Sequence, residues 1–354
     1  MSPDEDEVRA ALRSVEDPLL EGDVVSLGLV DGVRLEGDTA VVTMALNAPV
    51  APAERAIGEG VRDAIETIGL EADVRARVDE THGVHADVLP GVKNVVAVAS
   101  GKGGVGKTTI ATTLAAGLTE RGARVGLLDA DVHGPNAPRL LPTDDEVGVF
   151  PTGDIRPPEA DGVRVMSAEY LLPADPDEPA ALRGPMVNNV MMKFVDEVQW
   201  GYLDYLVVDL PPGTGDAALN LVQSLPVAGA VIVTTPQAMA VDDARRTMGL
   251  FRRHDVPVLG LVENMSGYRC PGCGEEHPLF GSGEALEGLE ARTLARIPAH
   301  PALSSERTDD PPVRDAEHPI QGALLDLVDA VADEIGRVNR RRVARTTSTP
   351  KSDA

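Results

Sequence analysis

An apolar run, Val95 to Ala99, passes through Ser100 into Gly101-Lys102-Gly103-Gly104-Val105-Gly106-Lys107-Thr108-Thr109. A strand-like run, a glycine-rich loop and a helix-forming segment in direct succession leave few folds open. Gly101 to Thr108 fits G-x-x-x-x-G-K-[ST], the phosphate-binding loop. Its glycines let backbone N–H groups converge on phosphate oxygens, and the following helix points its positive end at them. Lys107 then reaches the β/γ oxygens, and the Thr108 hydroxyl is placed for Mg²⁺. The same letters satisfy G-x-G-x-x-G through Gly101, Gly103 and Gly106, and Asp129 ends the next apolar run, as a dinucleotide site would require. The Lys107-Thr108 pair decides against that alternative. So does Leu206-Val207-Val208-Asp209, an apolar strand ending in an acid in the Walker B manner.

Lys102, directly after the first glycine, marks the deviant Walker A class. Further along stand Asp129-Ala130-Asp131-Val132-His133-Gly134-Pro135-Asn136 and Asp209-Leu210-Pro211-Pro212-Gly213-Thr214-Gly215-Asp216. Glu263-Asn264-Met265-Ser266 and Cys270-Pro271-Gly272-Cys273 follow in that order. On these motifs the chain resembles the Mrp/ApbC family of iron–sulfur cluster carrier ATPases, over all of its length except the C-terminal tail.

The 354 residues are enough for two domains, and 43% hydrophobic with 25% charged residues is a soluble, globular composition. The net charge of −25, with only five lysines among 32 basic residues, makes nucleic acid or an anionic membrane a poor partner. Scarce lysine beside surplus acid fits a salt-rich cytoplasm, where repulsion is screened over roughly 3 Å at 1 M. The first residues have neither a basic nor an apolar region of a signal peptide, and no run approaches the ~18 apolar residues of a span. The two cysteines are too few for a disulfide framework. A cytoplasmic protein is expected.

Residues 1–85 read as a small α+β domain. Val8, Ala11, Leu12 and Val15 fall at helical spacing before Asp17-Pro18. Val24 to Leu29, Gly32 to Leu35 and Thr39 to Leu46 read as short strands. Ile57, Val61, Ile65 and Ile68 line a helix, and Val74 to Val78 alternates as a last strand. The α-β-β-α-β order resembles a domain shared with stand-alone iron–sulfur assembly factors. Such domains often carry a cysteine in a T-x-P-x-C-P-like stretch. Asn47-Ala48-Pro49-Val50-Ala51-Pro52 has none, so docking or packing is the expected role. Thr81 to Gly91 reads as a linker, in which His82 and His85 are solvated. From residue 86 to 340, alternating strands and helices predict an α/β, doubly wound, mostly parallel sheet with helices on both faces. Strands are expected near 94–99, 124–129, 163–167, 205–209, 229–234, 258–262 and 293–297. The helix after the loop runs from Lys107 to about Glu120, with Gly122 past its end. Pro142 to Asp161 reads as an exposed excursion, Leu324 to Ile335 as a closing amphipathic helix, and 341–354 as a disordered tail.

The resemblance implies roles for these residues. Gly101 to Thr109 hold the ATP phosphates, and Lys102 reaches across a dimer to the partner's phosphates. Lys107 and Asp131 join Lys102 in catalysis, Asp131 by positioning the attacking water. Thr108, Asp131 and Asp209 surround Mg²⁺, with Asp129 in support, and Pro211-Pro212-Gly213 senses the γ-phosphate. Asn264 offers the donor and acceptor that adenine's edge requires, with Pro298 near the base. Thiolates spaced as Cys270 and Cys273 suit iron–sulfur, zinc or redox exchange. No helix follows to lower a thiolate pKa, which disfavours a thioredoxin-like use. One chain brings two thiolates where a [4Fe–4S] cluster or a structural zinc takes four ligands, and a symmetric dimer supplies four. Zinc bridged the same way, with His277 as an extra ligand, stays open, and the resemblance favours iron–sulfur. The implied protein is a homodimeric ATPase carrying a [4Fe–4S] cluster from an assembly scaffold to apo-proteins. A MinD/ParA-type positioning switch and an ATP-driven electron-transfer protein are the alternatives. The first can claim only the basic tail, and the second would need a stable redox cluster.

Overall fold

The computed structural model of the chain describes residues 3–77, 88–132, 134–171, 184–270, 272–273, 275–280, 286, 288–303 and 311–348. The chain divides into two compact units, Met1–Asp79 with Ala332–Ala354, and Glu80–Val331. The linker histidines, His82 and His85, lie outside the described residues.

The first unit contains α1 (Glu5–Leu12), β1 (Val30–Glu36), β2 (Thr39–Met44), α2 (Pro52–Thr67) and β3 (Glu71–Ala76). Asp4 caps α1 in a capping box with Glu7, a device worth about 1 kcal/mol. β2 is central, antiparallel to β1 and parallel to β3. Val8, Leu12, Val33, Val42, Met44, Ile57, Val61 and Ile65 form its core. The α-β-β-α-β order is as expected, but Val24–Leu29 is a turn rather than a strand. Asp23 Oδ1 accepts from the backbone of Val25 and Ser26 at 3.0 and 2.9 Å, and Leu27 N–H bonds Asp23 O at 3.0 Å. An aspartate that draws in the next N–H groups wins over the apolar run.

The second unit is built on β4 (Val92–Ser100), α3 (Lys107–Glu120), β5 (Val125–Asp129) and α4 (Ala137–Leu140). Then come β6 (Gly148–Val149), β7 (Ile155–Arg156), β8 (Glu159–Ala160) and β9 (Val163–Ser167). α5 (Gly184–Asp196), β10 (Leu203–Asp209), α6 (Asp216–Ser224), β11 (Val227–Thr234) and α7 (Ala238–Arg253) follow. β12 (Val258–Arg269), β13 (Glu276–His277) and β14 (Thr293–Ala299) complete the strands. The sheet order is β13-β12-β11-β4-β10-β5-β9-β8, with β14 also on β12. β13 and β8 are antiparallel to their neighbours, and the other pairings are parallel. The excursion 142–161 contributes the β6–β7 pair and the β8 edge. Strands buried on both faces read as unbroken apolar runs, and Val95–Ala99 of β4, Tyr205–Val208 of β10 and Val227–Val233 of β11 do so.

The last helix, α8 (Gln321–Ser348), corrects the expectation for the tail. It runs about 42 Å at 1.5 Å per residue and belongs to the second unit up to Val331 and to the first from Ala332. Within the first unit Arg340 is fully buried, with Nε 2.6 Å from Asp17 and Nη1 3.0 Å from Glu54. Asp333 accepts from Ala53 N–H at 2.8 Å, and Val343 packs on the core. Within the polar run, Arg340 is paired inside the fold while Arg341 stays exposed. Residues 349–354 lie outside those described.

Candidate functional site

β4 ends at Ser100 with β10 on one side and β11 on the other. The chain leaves for β5 beyond β10, and β11 and β12 lie on the opposite side. Crevices at such reversals, outside the carboxyl ends of the strands, are where α/β sheets take ligands. Gly101 to Gly106 forms the loop there, and Lys107 opens α3. Two of its glycines are required by close approach. A Cβ on Gly101 would lie 2.4 Å from the Asp243 backbone, and one on Gly106 (φ +83°) 2.1 Å from Asn264 Nδ2.

Lys107 is buried, its Nζ 2.6 Å from Asp209 Oδ1 and 4.0 Å from Asp131 Oδ2. Thr108 Oγ1 donates to Asp209 Oδ2 at 2.6 Å. Thr108, Asp131 and Asp209 bring hard oxygen atoms to the neighbourhood of Lys107, the donor type that Mg²⁺ takes beside phosphates. A cavity of about 340 Å³ opens on Gly103, Gly104, Lys107, Thr108, Asp131 and Pro212. Gly213 N–H bonds Ser100 O at 2.8 Å, tying the Pro211-Pro212-Gly213 turn to the end of β4.

Asp129 and Asp209 are register partners on adjacent parallel strands, and both are fully buried. Asp129 Oδ2 accepts from Asn136 N, Ala137 N and Ser167 Oγ, each at 3.1 Å, and Oδ1 from Asp131 N at 3.2 Å. Its carboxylate is spent on holding the turn that carries Asp131. Burial first, and the Asp209 charge second, raise its pKa to about 7 against the pull of those donors. Burial also raises the pKa of Asp209, with Lys107 acting against it.

Lys102 Nζ donates to Gln237 Oε1 of its own chain at 2.9 Å. Sequence reasoning passed over Gln237, though its place just past the end of β11, beside the loop, is a usable signal. Asn264 Nδ2 donates to Val105 O at 2.8 Å, so the amide braces the phosphate loop. Beside it an apolar cleft of about 410 Å³ is lined by Thr109, Asn264, Met265, Tyr268, His300 and Pro301. The two cavities share Gly106, Thr109 and Leu303. Pro298 lies within β14 and is not among the lining residues, whereas Pro301 is. Met265, at φ +55°, holds a left-handed backbone at this wall. A larger cleft of about 710 Å³, around Asp145, Arg156 and Arg164, includes no residue of the phosphate loop.

Cys270 and Cys273 sit at the tip of the hairpin made by β12 and β13. Tyr268 faces His277 and Arg269 faces Glu276 in register, and Cys270 N–H bonds Glu275 O at 2.9 Å. Cys273 is exposed and Cys270 half-buried. Backbone N–H groups of Cys273 and Gly272 aimed at Cys270 Sγ lower its pKa. That favours the thiolate, the form that ligates metals. Cys270, Cys273 and His277 each bring a ligand atom within 4.8 Å of the others. Soft sulfur donors at a tip open to solvent can take a thiophilic metal or cluster and give it up.

The same division recurs in comparison with known proteins. Residues 91–332 match the family model described as NUBPL iron-transfer P-loop NTPase, and residues 5–78 that of iron–sulfur cluster assembly protein. The iron–sulfur cluster carrier protein of Synechocystis sp. is 43% identical over 306 residues, 83% of this chain and 86% of that one. The one from Deinococcus radiodurans is 44% identical, covering 83% and 84%, and that of Haemophilus influenzae 35%, covering 94% and 92%. A solved nucleotide-binding protein from Archaeoglobus fulgidus, in complex with ADP and with cobalt found in it, is 34% identical. It covers 69% of this chain and 88% of its own at a TM-score of 0.51. With a family model spanning the second unit and relatives aligned over nearly their full length, the chain belongs to the iron-transfer P-loop NTPases.

Proposed function

We propose that the protein is a homodimeric, cytoplasmic ATPase that accepts a [4Fe–4S] cluster from an assembly scaffold and delivers it to apo-proteins. The cluster is cargo, held by Cys270 and Cys273 of two subunits. One observation carries the reading. A single strand, β12, braces the phosphate loop through Asn264 and Val105 at 2.8 Å and continues to the cysteine tip. The six residue-to-residue steps from Asn264 to Cys270 span at most about 20 Å. A change at the loop therefore has a short covalent path to the cargo site.

In the ATPase step the loop N–H groups and Lys107 take the phosphates, and phosphate oxygens compete with Asp209 for the lysine. Mg²⁺ supplies charge neutralisation on the phosphate oxygens. Thr108 and Asp209 hold it, and Asp131 orients the attacking water. Lys102 leaves Gln237 to stabilise charge on the partner's phosphates as a lysine finger. Turnover that waits on such an exchange is slow and regulatory.

Anaerobic reconstitution tests the cargo. About one [4Fe–4S] cluster per dimer is expected, with four thiolate ligands. Cys270→Ser and Cys273→Ser each lose the visible absorbance and cluster transfer, while ATP hydrolysis persists. One full cluster per monomer, or stoichiometric zinc without iron, overturns the reading.

A further inference from the structure

The hairpin tip holds a third donor that the carrier reading leaves unused. His277 faces Tyr268 in antiparallel register, so the ladder itself returns its ring to the cysteines. Cys273 Sγ and His277 Nε2 are 4.0 Å apart, and the ligand atoms of Cys270, Cys273 and His277 lie within 4.8 Å of one another. A tetrahedral cation with bonds of about 2.3 Å to sulfur and about 2.0 Å to nitrogen sets its donors about 3.5–3.8 Å apart. Small side-chain rotations close that difference. All three donors come from one chain, whereas a four-thiolate cluster draws on two.

We propose that a single protomer binds one divalent cation, Zn²⁺ or Fe²⁺, through Cys270 Sγ, Cys273 Sγ and His277 Nε2, with the fourth position open to an external thiolate. This rests on the reading of the cysteine pair as a metal-handling site, and adds a mononuclear state that needs no second subunit. Two thiolates and an imidazole suit these borderline cations. Three protein ligands with one position free are the pattern of exchanging rather than closed structural sites. The Glu275 carboxylate, 4.0 Å from Cys273 Sγ, adds a favourable charge at the same tip.

The full-length apo chain is titrated with Co²⁺ under anaerobic conditions, reading the visible band of tetrahedral cobalt together with sedimentation. Saturation is expected at about one Co²⁺ per chain, as a monomer, with a band that shifts when 2-mercaptoethanol fills the open position. His277→Gln weakens binding at least tenfold, about 1.4 kcal/mol. Saturation at half that ratio with dimerisation, an unchanged titration in His277→Gln, or binding that survives Cys270→Ser overturns the proposal. Cluster loading of the unsubstituted chain is measured alongside. Failure of the cobalt arm with normal loading removes the mononuclear site alone. Cluster absorbance that survives in the cysteine variants removes the carrier reading instead.

Discussion

At the scale of single residues, Asp129 carries a marked pH dependence. Its pKa rises from 3.8 to about 7 in the fold, chiefly through burial. The native state therefore keeps a proton that the unfolded chain has released between those values. Stability falls as pH rises through that window and flattens above it, by at most about 4 kcal/mol. Asp129→Asn should be less stable at low pH, because one amide oxygen cannot replace both carboxyl oxygens as acceptors, and should fall less steeply than the parent from pH 4 to 7. Urea midpoints followed by Trp200, the chain's one tryptophan, buried in the second unit, read this directly. A slope as steep as that of the parent would place the proton elsewhere. Lys102 makes a second prediction. Its bond to Gln237 Oε1, at 2.9 Å, must break before the lysine can serve a partner. Lys102→Ala should lower phosphate release steeply while nucleotide binding survives. Gln237→Ala, which removes only the anchor, should raise turnover by up to about tenfold, the equivalent of roughly 1.4 kcal/mol. Phosphate release is the readout, and an unchanged rate would mean that breaking the Gln237 bond does not limit turnover. Most of the site was legible at this scale, because a phosphate loop and a C-x-x-C pair are local spellings of their chemistry. Gln237 and Pro301 were not, since each reaches the site only through tertiary packing.

At the scale of elements, β12 and α8 join residues that the sequence keeps apart. The parallel strands were readable because burial on both faces leaves apolar runs with no competing period. The turn at Val24–Leu29 was not, because Asp23 diverts an equally apolar run into local hydrogen bonds. The second half of α8 was hidden for another reason. Arg340-Arg341-Arg342 reads as solvated charge, and the acids that neutralise Arg340 lie 323 and 286 residues away in sequence. A buried arginine spanning Asp17 and Glu54 makes Arg340→Ala costly. It would strand two carboxylates in the interior, at about 3–5 kcal/mol. The Glu54 pKa, already raised by burial, loses the guanidinium that opposes the shift. Thermal unfolding of the variant should show an early transition for the first unit, with ATP binding retained. Identical melting would mean that the cluster is solvated.

At the scale of the molecule, the two units predict different fates when the chain is cut. The second unit owns an apolar core of its own, from Val92 and Val95 through Leu206 and Ile232 to Leu261. It also holds the phosphate loop, Asp129, Asp131, Asp209, Asn264, Cys270 and Cys273. A chain covering 88–331 should therefore fold, bind ATP and load a cluster, since every element of that unit from β4 onward is kept. The first unit is different, because it is closed by residues from the opposite end of the sequence. A chain covering 1–79 would keep its sheet and both helices but lose Arg340, Val343 and the Asp333 cap on Ala53. Its Asp17 and Glu54 would be left without their shared cation, at a cost of several kcal/mol against a typical domain stability of about 5–15 kcal/mol. The fragment should be poorly folded alone and should recover when residues 332–348 are fused behind it through a flexible linker. Circular dichroism and amide-exchange protection measure both states. A fully protected 1–79 fragment would show that the helix is an accessory, and a fusion that fails to recover would place the missing stability outside Arg340 and its neighbours.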